Sequence, residues 1–172
     1  MEELNNCDYK IITIDSDYAF YPSADYCDFY IKLDEALKNV YKINIITMLL
    51  SIPNNSSLKT PLNQIFVNLN NYSRLIAKKN SLVDGNRPNI NVFDSIIIEN
   101  QITDTSSTNY TTLKNDYNSS DSIYYLNPLE PQLIRFSVKL TDKNNDLISK
   151  TAINRFVMKL GVYYTNKKTT RI

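Results

Sequence analysis

The chain has 172 residues and carries 19 lysines and arginines against 18 aspartates and glutamates, a net charge of +1. That length fits one domain with a core of its own. The balanced charge argues against a generic nucleic-acid binder, which normally shows a strong basic excess, and we expect no specific nucleic acid as a partner. The chain has no histidine and only two glycines. These absences exclude Ser-His-Asp and Cys-His catalysis, histidine metal ligands, phosphate-cradling loops and dinucleotide fingerprints.

The charges are distributed unevenly, because the N-terminal part of the chain is acidic and the C-terminal part is basic. We predict a polar arm over residues 1–8, one domain over 9–165 and a basic tail over 166–172. The two cysteines, Cys7 in the arm and Cys27 on an apolar strand face, have no metal-site or redox spacing. With no apolar leader and no run long enough to cross a bilayer, we expect a soluble chain made in a reducing compartment, without a membrane span.

The first half of the chain reads as strands. A first strand is predicted over Tyr9 to Asp15, and a second over Tyr26 to Leu33, where apolar and polar side chains alternate as in a strand buried on one side. A one-turn element, Asp34 to Leu37, separates this strand from a long apolar run, Val40 to Ile52. That run predicts a strand covered on both sides, either central in the fold or covered by a partner. The apolar positions that we expect on one face of the run are Tyr41, Ile43, Ile45, Thr47 and Leu49.

The segment Ser16 to Asp25, between the first two strands, is rich in aromatic residues, with Tyr18, Phe20 and Tyr21 around a proline. Exposed aromatic residues on a loop favour a contact surface for a neighbouring subunit. The same rings would also serve as a lid over the end of the fold. The sequence leaves both interpretations open.

In the middle of the chain we predict strands over Gln64 to Asn70 and Ile90 to Gln101, separated by a clear turn at Asp84 to Pro88. The segment Tyr72 to Leu82 favours a loop, with a short helix as the alternative. The segment Thr103 to Asp121, rich in serine, threonine, asparagine and aspartate, is either an exposed loop or a polar strand pair.

Toward the C-terminus, Ser122 to Leu126 predicts a short strand that Pro128 and Pro131 interrupt. Ile134, Phe136, Val138 and Leu140 then alternate with polar residues, and Phe156 to Tyr164 forms the last strand. The asparagines are expected in turns such as Asp142 to Asp146, because asparagine tolerates left-handed backbone in place of the missing glycines. About eight strands separated by polar turns indicate an all-β fold, an antiparallel β-sandwich, and among sandwiches a single jelly roll.

Two groups of residues invite a chemical interpretation. Asp15 and Asp17, close to Asp25 and Asp28, could present carboxylates to a hard cation such as calcium. Acidic residues at a strand end more often cap backbone amides, and we favour that interpretation. The tyrosine pairs Tyr124-Tyr125 and Tyr163-Tyr164 could stack on sugars, although one tyrosine of each pair must point inward in an alternating strand.

Two patches of the sequence resemble one protein family. The residues that carry the resemblance are Ile12-Thr13-Ile14-Asp15-Ser16-Asp17, Tyr21-Pro22-Ser23-Ala24-Asp25-Tyr26, Ile31-Lys32-Leu33, Leu37-Lys38-Asn39-Val40, Ile52-Pro53, Asn127-Pro128-Leu129-Glu130-Pro131 and Leu133 to Asp142. They look like signatures of the minor capsid proteins of large icosahedral double-stranded DNA viruses. The resemblance implies a jelly-roll structural protein of the virion, synthesised in the host cytoplasm.

From the resemblance and the loops we expect a protein that binds copies of itself, as a possible homopentamer at the capsid vertex (penton), or the major capsid protein. A cementing role under the shell is the other form of the same prediction. We expect no enzyme, no cofactor, no metal and no catalytic residue. The candidate interface residues are Tyr18, Phe20, Tyr21, Asp84, Arg87, Lys167, Lys168 and Arg171. The alternative function is a carbohydrate-binding β-sandwich module, either on a virion or elsewhere.

Overall fold

A computed structural model describes residues 7–53, 56, 58, 63–73, 75–78, 89–98, 110–116 and 122–165. This part of the chain contains no α-helix, only strands and 3₁₀ turns such as Ser16–Tyr18 and Lys150–Ala152. The strands are β1 (Asp8–Asp15), β2 (Asp28–Pro53), β3 (Asn63–Leu69), β4 (Leu75–Lys78), β5 (Asn89–Val92), β6 (Asp94–Ile98), β7 (Tyr110–Asp116), β8 (Ile123–Thr141) and β9 (Arg155–Tyr164).

Seven of these strands form one curled sheet in the order β1-β9-β2-β8-β3-β6, with β7 also paired to β2, while β4 and β5 form a separate two-stranded sheet. Every strand pair is antiparallel. The prediction of an all-β antiparallel fold is therefore confirmed. The curl brings the start of β2 close to β9, since the ring centres of Phe29 on β2 and Phe156 on β9 lie 6.2 Å apart.

Strand β2 runs unbroken for 26 residues. Its first half pairs with β8, whose pairing extends to Asn44. In its second half, Lys42 to Ser51 pair with β9 and Thr47 to Pro53 pair with β7. The predicted one-turn element at Asp34 to Leu37 is wrong. There the pairing continues across an irregularity, in which Leu33 to Ala36 lie opposite the single residue Ile134. Extra residues on one strand bend it. The bend lets β2 pair with β8 along its first half and with β9 along its second half.

Irregular pairing also changes which side chains are buried. One extra residue, Ile46, lies between the pairs of Ile45 and Thr47 with β9, so the side-chain alternation inverts there. The predicted apolar face of β2 is wrong after that point, because Met48 and Leu50 are buried instead of Thr47 and Leu49. On β8 the alternation breaks opposite the β2 irregularity. There Ile134, one of the predicted alternating apolar residues, is exposed and Leu133 is buried.

The two prolines of β8 do not end the strand, so the predicted break there is wrong. Leu126 to Leu129 lie opposite Tyr41 alone, and the Asn127–Pro128 peptide in this bulge is cis. A proline is tolerated in a sheet at a bulge, since the ladder there does not use its missing N–H.

The middle of the chain differs from the prediction in two places, and in a third the structure decides between the two alternatives that the sequence left open. Leu75–Lys78 is a strand paired with Asn89–Val92, where we had predicted a loop or short helix. The single strand predicted over Ile90 to Gln101 is split at Phe93. The backbone N–H of this buried residue donates a hydrogen bond to the Val67 carbonyl at 3.0 Å. Tyr110–Asp116 is a strand on β2, so this part of Thr103 to Asp121 is not an exposed loop. The turn predicted at Asp84 to Pro88 lies outside the described residues.

The prediction that asparagine takes left-handed backbone in turns is confirmed at Asn70 and Asn145, whereas Asn39 takes it inside β2. In the described part of the chain, the residues other than glycine with positive φ are Asn39 (51°), Asn70 (47°) and Asn145 (65°). Asn145 lies in the predicted turn between β8 and β9, where Asp142 accepts the Asn144 N–H at 2.8 Å. Asparagine thus takes the left-handed positions that glycine usually fills.

Candidate functional site

The end of β1 is fixed by a carboxylate. Asp15 accepts the backbone N–H of Asp17 at 3.1 Å and so caps the 3₁₀ turn Ser16–Tyr18. The Arg155 guanidinium at the start of β9 donates two hydrogen bonds to the same carboxylate, from Nε (3.1 Å) and from Nη2. Its Nε also lies 3.3 Å from the Asp17 carboxylate. The hydrogen bond from Arg155, helped by the Asp17 N–H, lowers the pKa of Asp15, although burial opposes the shift.

The other carboxylates of the proposed cation cluster are dispersed. Asp28 pairs with Lys139 at 3.3 Å, and Asp25 is exposed at the loop end. Within the described ranges no group of three or more His, Cys, Asp or Glu side chains is placed to hold a metal ion. The capping interpretation of Asp15 is confirmed, and its charge is balanced by Arg155.

Tyr21 closes the end of the core. Its ring lies 5.4 Å from that of Phe29, its hydroxyl donates to the Ser16 carbonyl at 3.1 Å, and the Lys150 ammonium lies 3.7 Å from its ring centre. Burial raises the pKa of the Tyr21 hydroxyl. Tyr21 therefore has the lid role that the sequence left open for this loop.

A cavity of about 360 Å³ lies beneath this lid, lined by Tyr21, Lys150 and buried residues that include Cys27 and Phe156. Burial raises the pKa of the Cys27 thiol to about 11. The thiol is therefore protonated at neutral pH and a poor nucleophile.

Tyr18 and Phe20 face the solvent, with 80% and 55% of their surfaces exposed. The loop that carries them is nevertheless held firmly. Phe20 exchanges two backbone hydrogen bonds with Tyr30 on β2, at 2.9 and 3.0 Å, and its ring stacks on the Tyr30 ring at 5.4 Å. The Lys32 ammonium lies 5.6 Å from the Phe20 ring, and the Arg135 guanidinium lies 5.5 Å from the Tyr30 ring.

Three of the predicted interface residues lie in this loop, and the structure shows that their side chains have different roles. Tyr18 and Phe20 are presented outward, and Tyr21 packs inward. The other five, Asp84, Arg87, Lys167, Lys168 and Arg171, lie outside the described residues. Sequence reasoning missed the basic and aromatic neighbours of Phe20, although the alternation of β2 already placed Tyr30 and Lys32 on its outer face.

A groove of about 220 Å³ runs beside β1, which among the described strands pairs only with β9. Apolar side chains of β1 and β2, including Ile12 and Leu37, line it. Lys10 also lines it and is exposed, the kind of charge that keeps an edge strand from unspecific pairing.

No protein-family model matches this chain, and no curated protein matches it. In the part of the chain described, no helix has the length and apolar character needed to cross a membrane.

Proposed function

We propose that this protein is a minor structural component of the capsid of an icosahedral double-stranded DNA virus. It is a single jelly-roll sandwich that binds copies of itself or the major capsid protein and catalyses no reaction. The resemblance of the two sequence patches supports this assignment. It implies a jelly roll, and the all-β antiparallel architecture is consistent with that fold.

The observation that carries the proposal is the rigid presentation of Tyr18 and Phe20. Both rings are exposed on one loop, and aromatic residues are enriched at the centres of protein interfaces. Because the Asp15–Arg155 pair and the Phe20–Tyr30 backbone bonds already fix the loop, docking a neighbour costs little further conformational entropy. A preorganised aromatic loop is well suited to repeated, identical contacts.

The charges near the loop support a role in binding rather than in catalysis. Asp15 and Asp17 contact Arg155, and Asp28 contacts Lys139. The hydrogen bond from Arg155 lowers the pKa of Asp15, and a carboxylate with a depressed pKa is a poor general acid at neutral pH.

Substitution of the exposed rings tests the proposal. Sedimentation velocity of the purified full chain should show a discrete oligomer, and Tyr18→Ser and Phe20→Ser should each shift the population toward monomer. Tyr125→Ser, which removes an exposed tyrosine from a different surface, is the matched control and should leave the distribution unchanged. Equal effects of all three substitutions would refute the role of the loop.

Sedimentation of the chain alone, and of the chain mixed with the major capsid protein, separates the two capsid roles. A penton subunit forms a closed ring of five through heterologous contacts. A cementing protein instead co-sediments with the major capsid protein, and Tyr18→Ser should weaken that association.

A further inference from the structure

A second aromatic surface lies on the outer face of the sheet, at the opposite end of β1 from Tyr18. Tyr9 on β1 pairs with Tyr163 on β9, Tyr163 pairs with Lys42 on β2, and Lys42 pairs with Tyr125 on β8. Directly paired residues project from the same face of a sheet. Three tyrosines and one lysine therefore form a row across four adjacent strands, which we call the tyrosine row.

The members of the tyrosine row lie close together and are accessible. The Tyr9 and Tyr163 ring centres are 4.8 Å apart, and the Lys42 ammonium lies 3.6 Å from the Tyr163 ring centre. Tyr125 and Tyr9 are 66% and 48% exposed. By contrast, Tyr124 and Tyr164, the neighbours of Tyr125 and Tyr163 in sequence, pack against the core.

One of the two glycines in the chain lies beside this row. Gly161 pairs with Ile11 and Asn44, and a Cβ atom there would come within 2.7 Å of the Tyr9 ring. The missing side chain leaves the space in which the Tyr9 ring lies over the sheet. In a chain so poor in glycine, the shape of the aromatic surface thus depends on this one position.

The shape and charge of the row select one class of ligand. The row spans three strand spacings, about 14 Å, and the Tyr41 ring lies beside it, 6.3 Å from the Tyr163 ring centre. This patch is much smaller than the roughly 800 Å² that one partner contributes to a stable protein interface. A nucleic acid would require several cations, and the row has one. A saccharide combines flat apolar C–H faces, which stack on tyrosine rings, with hydroxyls that bond to tyrosine O–H groups. The Lys42 ammonium complements a carboxylate or sulfate.

We propose that the tyrosine row, Tyr9, Lys42, Tyr125 and Tyr163, binds an acidic saccharide. This activity is separate from assembly, because it uses a different face of the protein from the loop that carries Tyr18 and Phe20.

Calorimetric titration of the full chain with sialyllactose and with trigalacturonic acid, each compared with neutral lactose, tests the proposal. At least one acidic probe should bind roughly tenfold more tightly than lactose. Tyr125→Ala should weaken that binding by roughly tenfold, because the stacking surface is lost. Lys42→Met should abolish the preference for the acidic probe. Tyr26→Ala, which removes an exposed tyrosine that belongs to neither surface, is the matched control and should have no effect.

Gly161→Ala provides a further check, since it should weaken binding by displacing the Tyr9 ring while the unfolding transition stays cooperative. Tyrosine-ring NMR signals report folding and ligand contact together. Absence of binding by both acidic probes would overturn the proposal, as would equal loss from Tyr125→Ala and Tyr26→Ala. If Tyr125→Ala instead dissociates oligomers and leaves saccharide binding unchanged, the row is a subunit contact and the proposal is wrong. The assembly proposal survives a negative saccharide result, because it is tested by sedimentation.

Discussion

At the scale of single residues, the Asp15–Arg155 pair links the end of β1 to the start of β9. Folding lowers the pKa of Asp15, so the pair stabilises the fold above the ordinary aspartate pKa. That contribution disappears as the pH falls through the lowered value. We predict that Arg155→Gln lowers the melting temperature near neutral pH and that its difference from wild type shrinks in strong acid.

Thermal denaturation followed by circular dichroism over a pH series measures this effect. Lys159→Gln, at an exposed position of the same strand, removes an equal charge and should show little pH-dependent difference. An Arg155→Gln deficit that stays constant down to the acid limit would contradict the assignment.

The two thiols should react very differently. Cys7 is exposed and Cys27 is buried with a pKa raised to about 11. In the native protein we predict one rapid reaction with a disulfide reagent near pH 8, and a second only on unfolding, because the thiolate is the reactive species. Cys7→Ser should remove the rapid phase. Rapid labelling of native Cys7→Ser protein would show that the end of the core is open.

At the scale of secondary-structure elements, the turn between β8 and β9 depends on Asn145, at φ 65°. We predict that Asn145→Ala lowers the free energy of unfolding by about 1 kcal/mol, because a Cβ atom is strained in left-handed backbone and alanine lacks the side-chain amide. Asn145→Gly should cost less than alanine. Urea unfolding measures the free energy of unfolding of the two variants. Equal destabilisation by alanine and glycine would show that backbone strain is not the cause.

The strands were predictable wherever pairing is regular. Ile65, Val67 and Leu69 on β3 and the alternating residues of β9 are buried as expected, because period-two alternation directly reflects one-sided burial. The failures cluster at irregular pairing. The extra residue at Ile46 inverts the alternation of β2, and the alternation of β8 breaks at Ile134, opposite the Leu33 to Ala36 bulge of β2. Such insertions depend on long-range register that a local pattern does not contain.

The candidate site was predictable to a similar depth. Composition and loop position identified Tyr18, Phe20 and Tyr21, but their division into exposed rings and a lid depends on contacts with Tyr30 and Phe29. The tyrosine row was suggested by Tyr125 and Tyr163. Tyr9 and Lys42 join it only through pairing across four strands, which the order of residues along the chain does not disclose.

At the scale of the whole molecule, two exposed surfaces project from one curled sheet. The loop with Tyr18 and Phe20 lies at one end of β1, and the tyrosine row begins at Tyr9 near the other. We predict that the two surfaces act independently, so the double variant Tyr18→Ser/Tyr125→Ala should show the sum of the two single effects on the free energies of association and saccharide binding. Sedimentation and calorimetry on the same preparations test this additivity, and a marked departure from it would indicate one continuous interface.

The central claim is that the protein acts by assembling with identical or similar subunits. The mass of the purified wild-type chain in solution, measured by light scattering over a wide concentration range, tests it most directly. Our account predicts a discrete species at a fixed multiple of the 19.9 kDa protomer mass, with five copies for a vertex subunit. A monomer at every concentration, which also fails to bind the major capsid protein, would contradict the account.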